Sequence, residues 1–199
     1  RVMMTTAWPA ASSSRIDLLL TPSILLLLAA GQAVVIITRN VDLSVGSVLA
    51  FTAYLTGRLF IDHPGIPIVA VALIGLLAGA LLGLVNGLLI AYGRLVPFIV
   101  TLAMLVSARG LAAKMAHNRT QIVRVRTIVD IARKDVIGVP MLVIILAVVV
   151  AVGWVVLNRT TFGRRTFAIG GNPEAARLAG IDVRRHTVAL YALSGLCCG

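Results

Sequence analysis

The sequence predicts an all-α fold: a polytopic transmembrane helical bundle. Three observations predict it. The 199 residues are 59% apolar and only 13% charged, whereas an ordinary soluble domain runs at about 45–50% apolar and about 25% charged. The mean hydropathy of +1.02 means more apolar surface than a soluble core of this length hides, so a bilayer is the solvent that fits. The apolar residues also fall in long runs that do not alternate in polarity. That pattern excludes a membrane barrel, whose segments of about 10 residues alternate.

The runs are taken in order. Residues 1–15 contain Pro9 and Ser12-Ser13-Ser14 and read as an N-terminal arm, a loop or disordered segment. The stretch after Arg15 has the outline of a signal peptide. Its apolar run continues through Val34, Val35, Ile36 and Ile37, so a spanning helix is the better reading. From Leu18 to Thr38 no residue is charged; at ~1.5 Å per residue the run crosses a core about 30 Å thick. Pro22 is expected near its start, where a proline costs little.

Leu43 to Phe60 is a second span carrying Ser44, Ser47, Thr52 and Thr56. Such hydroxyls bond backbone carbonyls or neighbouring helices. Ile66 to Tyr92 is a third, with 27 uncharged residues, long enough to cross with tilt. Val96 to Ala113 is a fourth, carrying Arg109. Val139 to Leu157 is a fifth, and a sixth starts at Thr187 and breaks off after 13 residues. The chain begins at Arg1 rather than Met and ends inside an apolar run. The expectation is a fragment: a truncated membrane domain over 16–199 with five full spans and the start of another.

The net charge of +11 comes from short segments between the apolar runs, as in proteins that fix their loops and meet anionic lipid. Only 5% of residues are aromatic and no basic stripe interleaves with them, which excludes nucleic acid as a partner. Cys197 and Cys198 are adjacent, with no metal spacing around them and no disulfide framework. They read as small apolar helix residues. His63, His117 and His186 have no partners at ligand spacing. No metal and no cofactor is expected.

In the third span Gly75, Gly79, Gly83 and Gly87 recur every four residues. They line one helix face and make a groove for close approach of another helix. Asn86 is the lone strongly polar residue there. It reads as an interhelical hydrogen-bonding residue or as a residue lining a solute path. Arg109 reads as a helix-end anchor or interhelical partner, with solute contact as the lesser alternative.

Two loops are long. Lys114–Gly138 and Asn158–His186 each hold six basic and two acidic residues. One span separates them, so they face opposite sides and the positive-inside rule does not choose between them. In the first, Ile122, Val125, Ile128, Val129 and Ala132 have helical spacing and suit an amphipathic interface helix.

The second loop nearly draws a short helix. Asn172 is a good N-cap, Pro173 fits the first helical position and Glu174 suits the positive end of the dipole. Ala175, Ala176, Arg177, Leu178 and Ala179 are mostly good helix formers. Gly180 suits the left-handed residue after the end, and Gly170 and Gly171 give a flexible lead-in. A helix of about two turns, stopped at both ends, is expected. It is either an ordinary surface helix or a peg for a partner's groove.

GNPEAARLAGIDVRR resembles the coupling segment of ribose/xylose-type ABC sugar permeases. ITRNVDLSVGSVLA and LLGLVNGLLIAYGRLVPFIVTLAMLVSARGLA are similar to two further signatures of that family, and all three stand in its order over about residues 18–199. The resemblance implies a subunit of about ten spans that pairs with a second permease subunit, identical or not. It also implies an ABC ATPase subunit on the cytoplasmic side, a periplasmic or lipoprotein sugar-binding protein on the other, and the bacterial inner membrane as the location. The chain would then be a moving part rather than an enzyme, and it contains no GxxxxGK[ST] loop. Loop 158–186 would be the cytoplasmic coupling loop, with residues 170–180 contacting the ATPase. Arg94 would lie inside, and His63 and Lys114–Gly138 outside.

Asp42, Ser44 and Asn86 become candidates for the translocation path, although Asp42 equally suits a cap on the second span. The family's Gly-Gly before this segment is replaced here by Arg39-Asn40, so either the turn differs or Arg39 snorkels to the surface. An ATP-independent secondary transporter or channel is the alternative. Such proteins usually carry ionisable residues within their spans, and here only Arg109 is clearly inside one.

Overall fold

A computed structural model describes residues 13–63, 65–117, 135–136 and 139–199. Most of the N-terminal arm and the proposed interface helix around Ile122–Ala132 lie outside the described residues. The elements are α1 (Ser13–Ile37), α2 (Val45–Asp62), α3 (Ile68–Ala91), α4 (Pro97–Met115), β1 (Asp135–Val136), β2 (Val139–Pro140), α5 (Met141–Arg159), α6 (Thr161–Gly171), α7 (Pro173–Leu178) and α8 (Val183–Cys198). The fold is an all-helical bundle. Among the described residues the one sheet is the antiparallel β1–β2 ladder, two residues long, which pairs Asp135 with Pro140 and Val136 with Val139.

By length and composition α3, α4 and α5 are apolar enough to cross a membrane, and Pro22–Ile37 forms a shorter apolar helical stretch. The α2 helix ends in Arg58 and Asp62, which pair at 2.8 Å on the exposed surface. The α1 helix begins at Ser13, so Pro22 sits inside it rather than near its start. The last helix starts at Val183, four residues before the apolar run, because Asp182 Oδ1 accepts from the Arg185 amide at 3.0 Å and caps it.

The core is a seam between α3 and α8. The buried face of α3 is Gly75, Gly79, Gly83, Asn86 and Gly87, while Leu77 and Leu81 face outward at 67% and 60% exposure. This is the reverse of a soluble amphipathic helix and suits lipid, where small residues let backbones approach. A Cβ on Gly79 would strike the Gly195 carbonyl, and one on Gly83 the Tyr191 carbonyl. On Gly87 it would meet Val188 Cα at 2.8 Å. The contact is reciprocal, because a Cβ on Gly195 would strike the Gly79 carbonyl. Thr52 of α2 closes the far end by donating to the Cys198 carbonyl at 3.0 Å.

The helix ends sort into two faces. Tyr54 donates to the Met115 carbonyl at 2.6 Å, which joins the C-terminal end of α4 to α2. On the other face, residues after α1 and α3 share one cleft with residues of α7 and the start of α8.

Candidate functional site

The loop between α5 and α8 is almost wholly helical. Thr160 opens α6 by accepting from the Gly163 amide at 3.4 Å, and α6 runs through Gly171. Gly170 and Gly171 are therefore a helix end and not the flexible lead-in that the sequence suggests. Gly170 lies where a Cβ would strike the Ile37 carbonyl, so close approach to α1 selects glycine there. Low helix propensity is overridden by packing.

After α6 the chain reverses at Asn172 (φ −150°, ψ 107°), and its side chain accepts from the amides of Glu174 at 3.0 Å and Ala175 at 3.1 Å. Pro173 occupies the first helical position. Glu174 and Arg177 pair across one turn at 3.0 Å; both are exposed, so the pair contributes little. At the other end Gly180 has φ +82°. Its amide donates to the Arg177 carbonyl, and the Ile181 amide donates to the Ala176 carbonyl, each at 3.0 Å. These are the two bonds of a Schellman cap. The α7 helix has six residues, slightly under the expected two turns. Ala176 is buried beneath it, whereas Leu178 is 90% exposed at its tip. A short helix fixed at both ends thus presents a bare leucine outward.

This helix is held to the bundle at two points. Arg39, in the turn after α1, donates from Nη2 to the Gly171 carbonyl at 3.2 Å. Its backbone is left-handed, at φ +60°. The departure at Arg39 therefore places a side-chain-bearing residue in a glycine-like conformation and directs it onto the loop. Behind α6, the Thr166 hydroxyl donates to the Phe162 carbonyl at 2.9 Å. His186 Nε2 lies 2.8 Å from the same oxygen. The imidazole also packs against Phe162, with ring centres 4.5 Å apart and the planes tilted by 39°. Burial, then the Arg165 guanidinium, push His186 below its ordinary 6.5.

The candidate path residues are brought together. Asp42 Oδ1 accepts from the Ser44 hydroxyl at 2.6 Å and from its amide at 3.0 Å; these bonds fix the turn before α2, whose N-cap is Ser44 itself, so Asp42 is not the cap. Asn86 Nδ2 donates to the Ser44 hydroxyl at 3.0 Å. Sequence reasoning missed two members, Ser194 and Tyr191 of α8. The Ser194 hydroxyl donates to Asp42 Oδ2 at 3.2 Å, and Tyr191 donates to the Val41 carbonyl at 3.0 Å. Their spacing with Gly195 marks one face of α8, which was the available signal. Asp42 is 6% exposed, Ser44 and Ser194 1%, and Asn86 and Tyr191 0%. The cluster is an interhelical joint of the loop before α2 with α2, α3 and α8. Arg109 stands apart on α4, lining a second cavity of about 430 Å³ with Leu43, Ser47 and Leu105.

Residues 14–199 match the family described as branched-chain amino acid transport system / permease component. The fructose import permease protein of Rhizobium meliloti is 36% identical over 86% of this chain and 50% of its own length. The ribose import permease protein of Bacillus subtilis is 38% identical over 85% of this chain and 53% of its own. The D-allose transport system permease protein of Escherichia coli is 32% identical over 89% and 54%. The chain spans about half the length of these curated relatives. No solved structure matches it. With apolar helices long enough to cross a bilayer and a family match over nearly its whole length, this multi-pass membrane chain belongs to the branched-chain amino acid transport system / permease component family.

Proposed function

We propose that this chain is part of the transmembrane permease subunit of an ATP-driven importer that carries a monosaccharide across the bacterial inner membrane. The relatives named for fructose, ribose and allose import support the solute class. The observation that carries the mechanism is Leu178, 90% exposed at the tip of a helix capped at both ends. A leucine held out on a rigid peg suits a partner's apolar groove, and a rigid peg transmits displacement that a floppy loop would absorb.

In this reading α7 faces the cytoplasm and seats in an ABC ATPase subunit. Movement of α7 passes to α1 through Gly170 and Arg39, and to α8 through Thr166 and His186. A second permease subunit completes the solute path. A sugar-binding protein, periplasmic or lipid-anchored, delivers solute on the opposite face. The permease itself is not an enzyme. For Asp42, Ser44 and Asn86, burial favours an interhelical role over lining the path.

The test is reconstitution of the full permease with its ATPase and sugar-binding protein. Glu174→Lys or Arg177→Glu is expected to leave membrane insertion intact and to uncouple ATP hydrolysis from uptake. Normal uptake in both variants defeats the coupling role. Concentrative uptake by the permease without any ATPase would favour a secondary transporter instead.

A further inference from the structure

A cleft of about 440 Å³ opens on the same face as α7. Its polar lining comes from four separate parts of the chain: Thr38 and Asn40 after α1, Arg94 after α3, Arg177 on α7, and Arg184 and Thr187 on α8. No acidic side chain lines it. Arg177 is engaged by Glu174 at 3.0 Å, and the nearby Asp182 is paired with Arg185 at 3.1 Å. Arg94 and Arg184 have no ion-pair partner among the described residues. Arg94 also holds a left-handed backbone at φ +53°, a conformation that side-chain-bearing residues resist.

The surroundings identify what these two cations would meet. Beside Arg94 the chain exposes Leu88, Leu89, Tyr92, Leu95 and Val96, each between 42% and 57%. The cleft therefore sits where the apolar end of α3 gives way to a polar face. Guanidiniums that line one cleft suit phosphate oxygens, which they engage through charge-assisted, often bidentate hydrogen bonds. A free phosphate has no use for the adjoining apolar skirt, but an acyl chain does. Basic pockets between spans at a membrane boundary hold anionic headgroups for this reason.

We propose that this cleft binds the phosphate headgroup of an anionic phospholipid, held by Arg94 and Arg184, with its acyl chains along the exposed end of α3 and the start of α4. Asn40 Oδ1 and the Thr187 hydroxyl oxygen are left to accept from headgroup hydroxyls, since the Asn40 amide protons go to Thr38 and the Thr187 proton goes to the Val183 carbonyl. The bound phosphate places negative charge beside Arg177, at the base of α7. The site depends on the membrane embedding of α3 and α4 and not on any coupling role of α7.

The experiment is native mass spectrometry of the full permease released from nanodiscs of mixed phosphatidylglycerol and phosphatidylcholine. The unaltered chain is expected to retain phosphatidylglycerol selectively. Arg94→Gln with Arg184→Gln should weaken that retention by about tenfold. Arg164→Gln with Arg165→Gln, which removes the same charge outside the cleft, should leave it unchanged. Equal retention of both lipids by the unaltered protein overturns the proposal whether or not any variant folds. So does full retention by the Arg94/Arg184 variant. Displacement of the lipid by millimolar inorganic phosphate would assign the cleft to a free anion. Loss of ATPase binding with lipid retention intact would assign it to a protein partner.

Discussion

The Arg39 guanidinium donates to the carbonyl of Gly171, 132 residues along the chain, at 3.2 Å. It does so from a backbone at φ +60°. Two opposing effects meet at this residue. A side-chain-bearing residue in the left-handed region is strained by about 1–2 kcal/mol, and an exposed hydrogen bond returns about 0.5–1.5 kcal/mol. Arg39→Gly is therefore expected to leave thermal stability nearly unchanged while loosening α6 from α1. Arg39→Ala, which keeps the strain and loses the bond, should lower stability by about 1 kcal/mol. Thermal unfolding in detergent separates the two; equal loss in both variants would contradict the trade.

At Gly79 and Gly83 the seam between α3 and α8 has no room for a side chain. Gly79→Val or Gly83→Val would drive a branched side chain into the α8 backbone and should destabilise the bundle by at least about 1–3 kcal/mol. Gly153→Ala on α5, where a Cβ meets nothing within 4 Å, should fold normally. Yield of monodisperse protein and its unfolding midpoint check this pair.

The caps of α7 are local. Asn172→Ala removes two bonds to backbone amides and should weaken the helix by about 1 kcal/mol. Gly180→Ala forces φ +82° on a residue with a Cβ and should weaken it by a similar amount, about 1 kcal/mol. In both, faster amide hydrogen exchange should be confined to α7, with α3 and α8 unaffected. Exchange spreading through the bundle would show that α7 is not an independent unit.

His186 precedes the last apolar run and packs on α6. Its imidazole binds a proton less tightly folded than unfolded, since burial and Arg165 hold it below 6.5. Its contribution to stability is therefore whole above about 6.5 and is lost as the pH falls from there toward the depressed folded value. Unfolding midpoints measured from about pH 8 to about pH 5.5 should drop more for the natural chain than for His186→Gln. Parallel curves would remove His186 from the account.

The helices were legible because uncharged runs of spanning length leave the backbone no other way to satisfy itself in lipid. The glycine face of α3 was legible for a similar reason: a four-residue repeat has only one geometric meaning on a helix. Its partner was not. Tyr191, Ser194 and Gly195 share a face of α8, but nothing local says which distant helix that face meets. The same limit applies to Asp42, Ser44 and Asn86. Their polarity marked them, yet only packing shows that they bond one another in a buried joint, with Asn86 Oδ1 left without a partner among the described residues. The caps of α7 are short-range chemistry and were readable residue by residue. The α6 helix was hidden because Gly163, Gly170 and Gly171 lower local helix propensity, and a close approach to Ile37 overrides it.

The central claim concerns the sidedness and partner of α7, and Leu178 tests it most directly. Leu178→Cys can be placed in a chain whose Cys197 and Cys198 are replaced by Ala, then probed in intact cells and in inside-out vesicles with a membrane-impermeant maleimide. The account predicts labelling only in the inside-out vesicles and protection from it when the ATPase subunit is bound. Labelling from outside intact cells, or full labelling in the presence of bound ATPase, would contradict it.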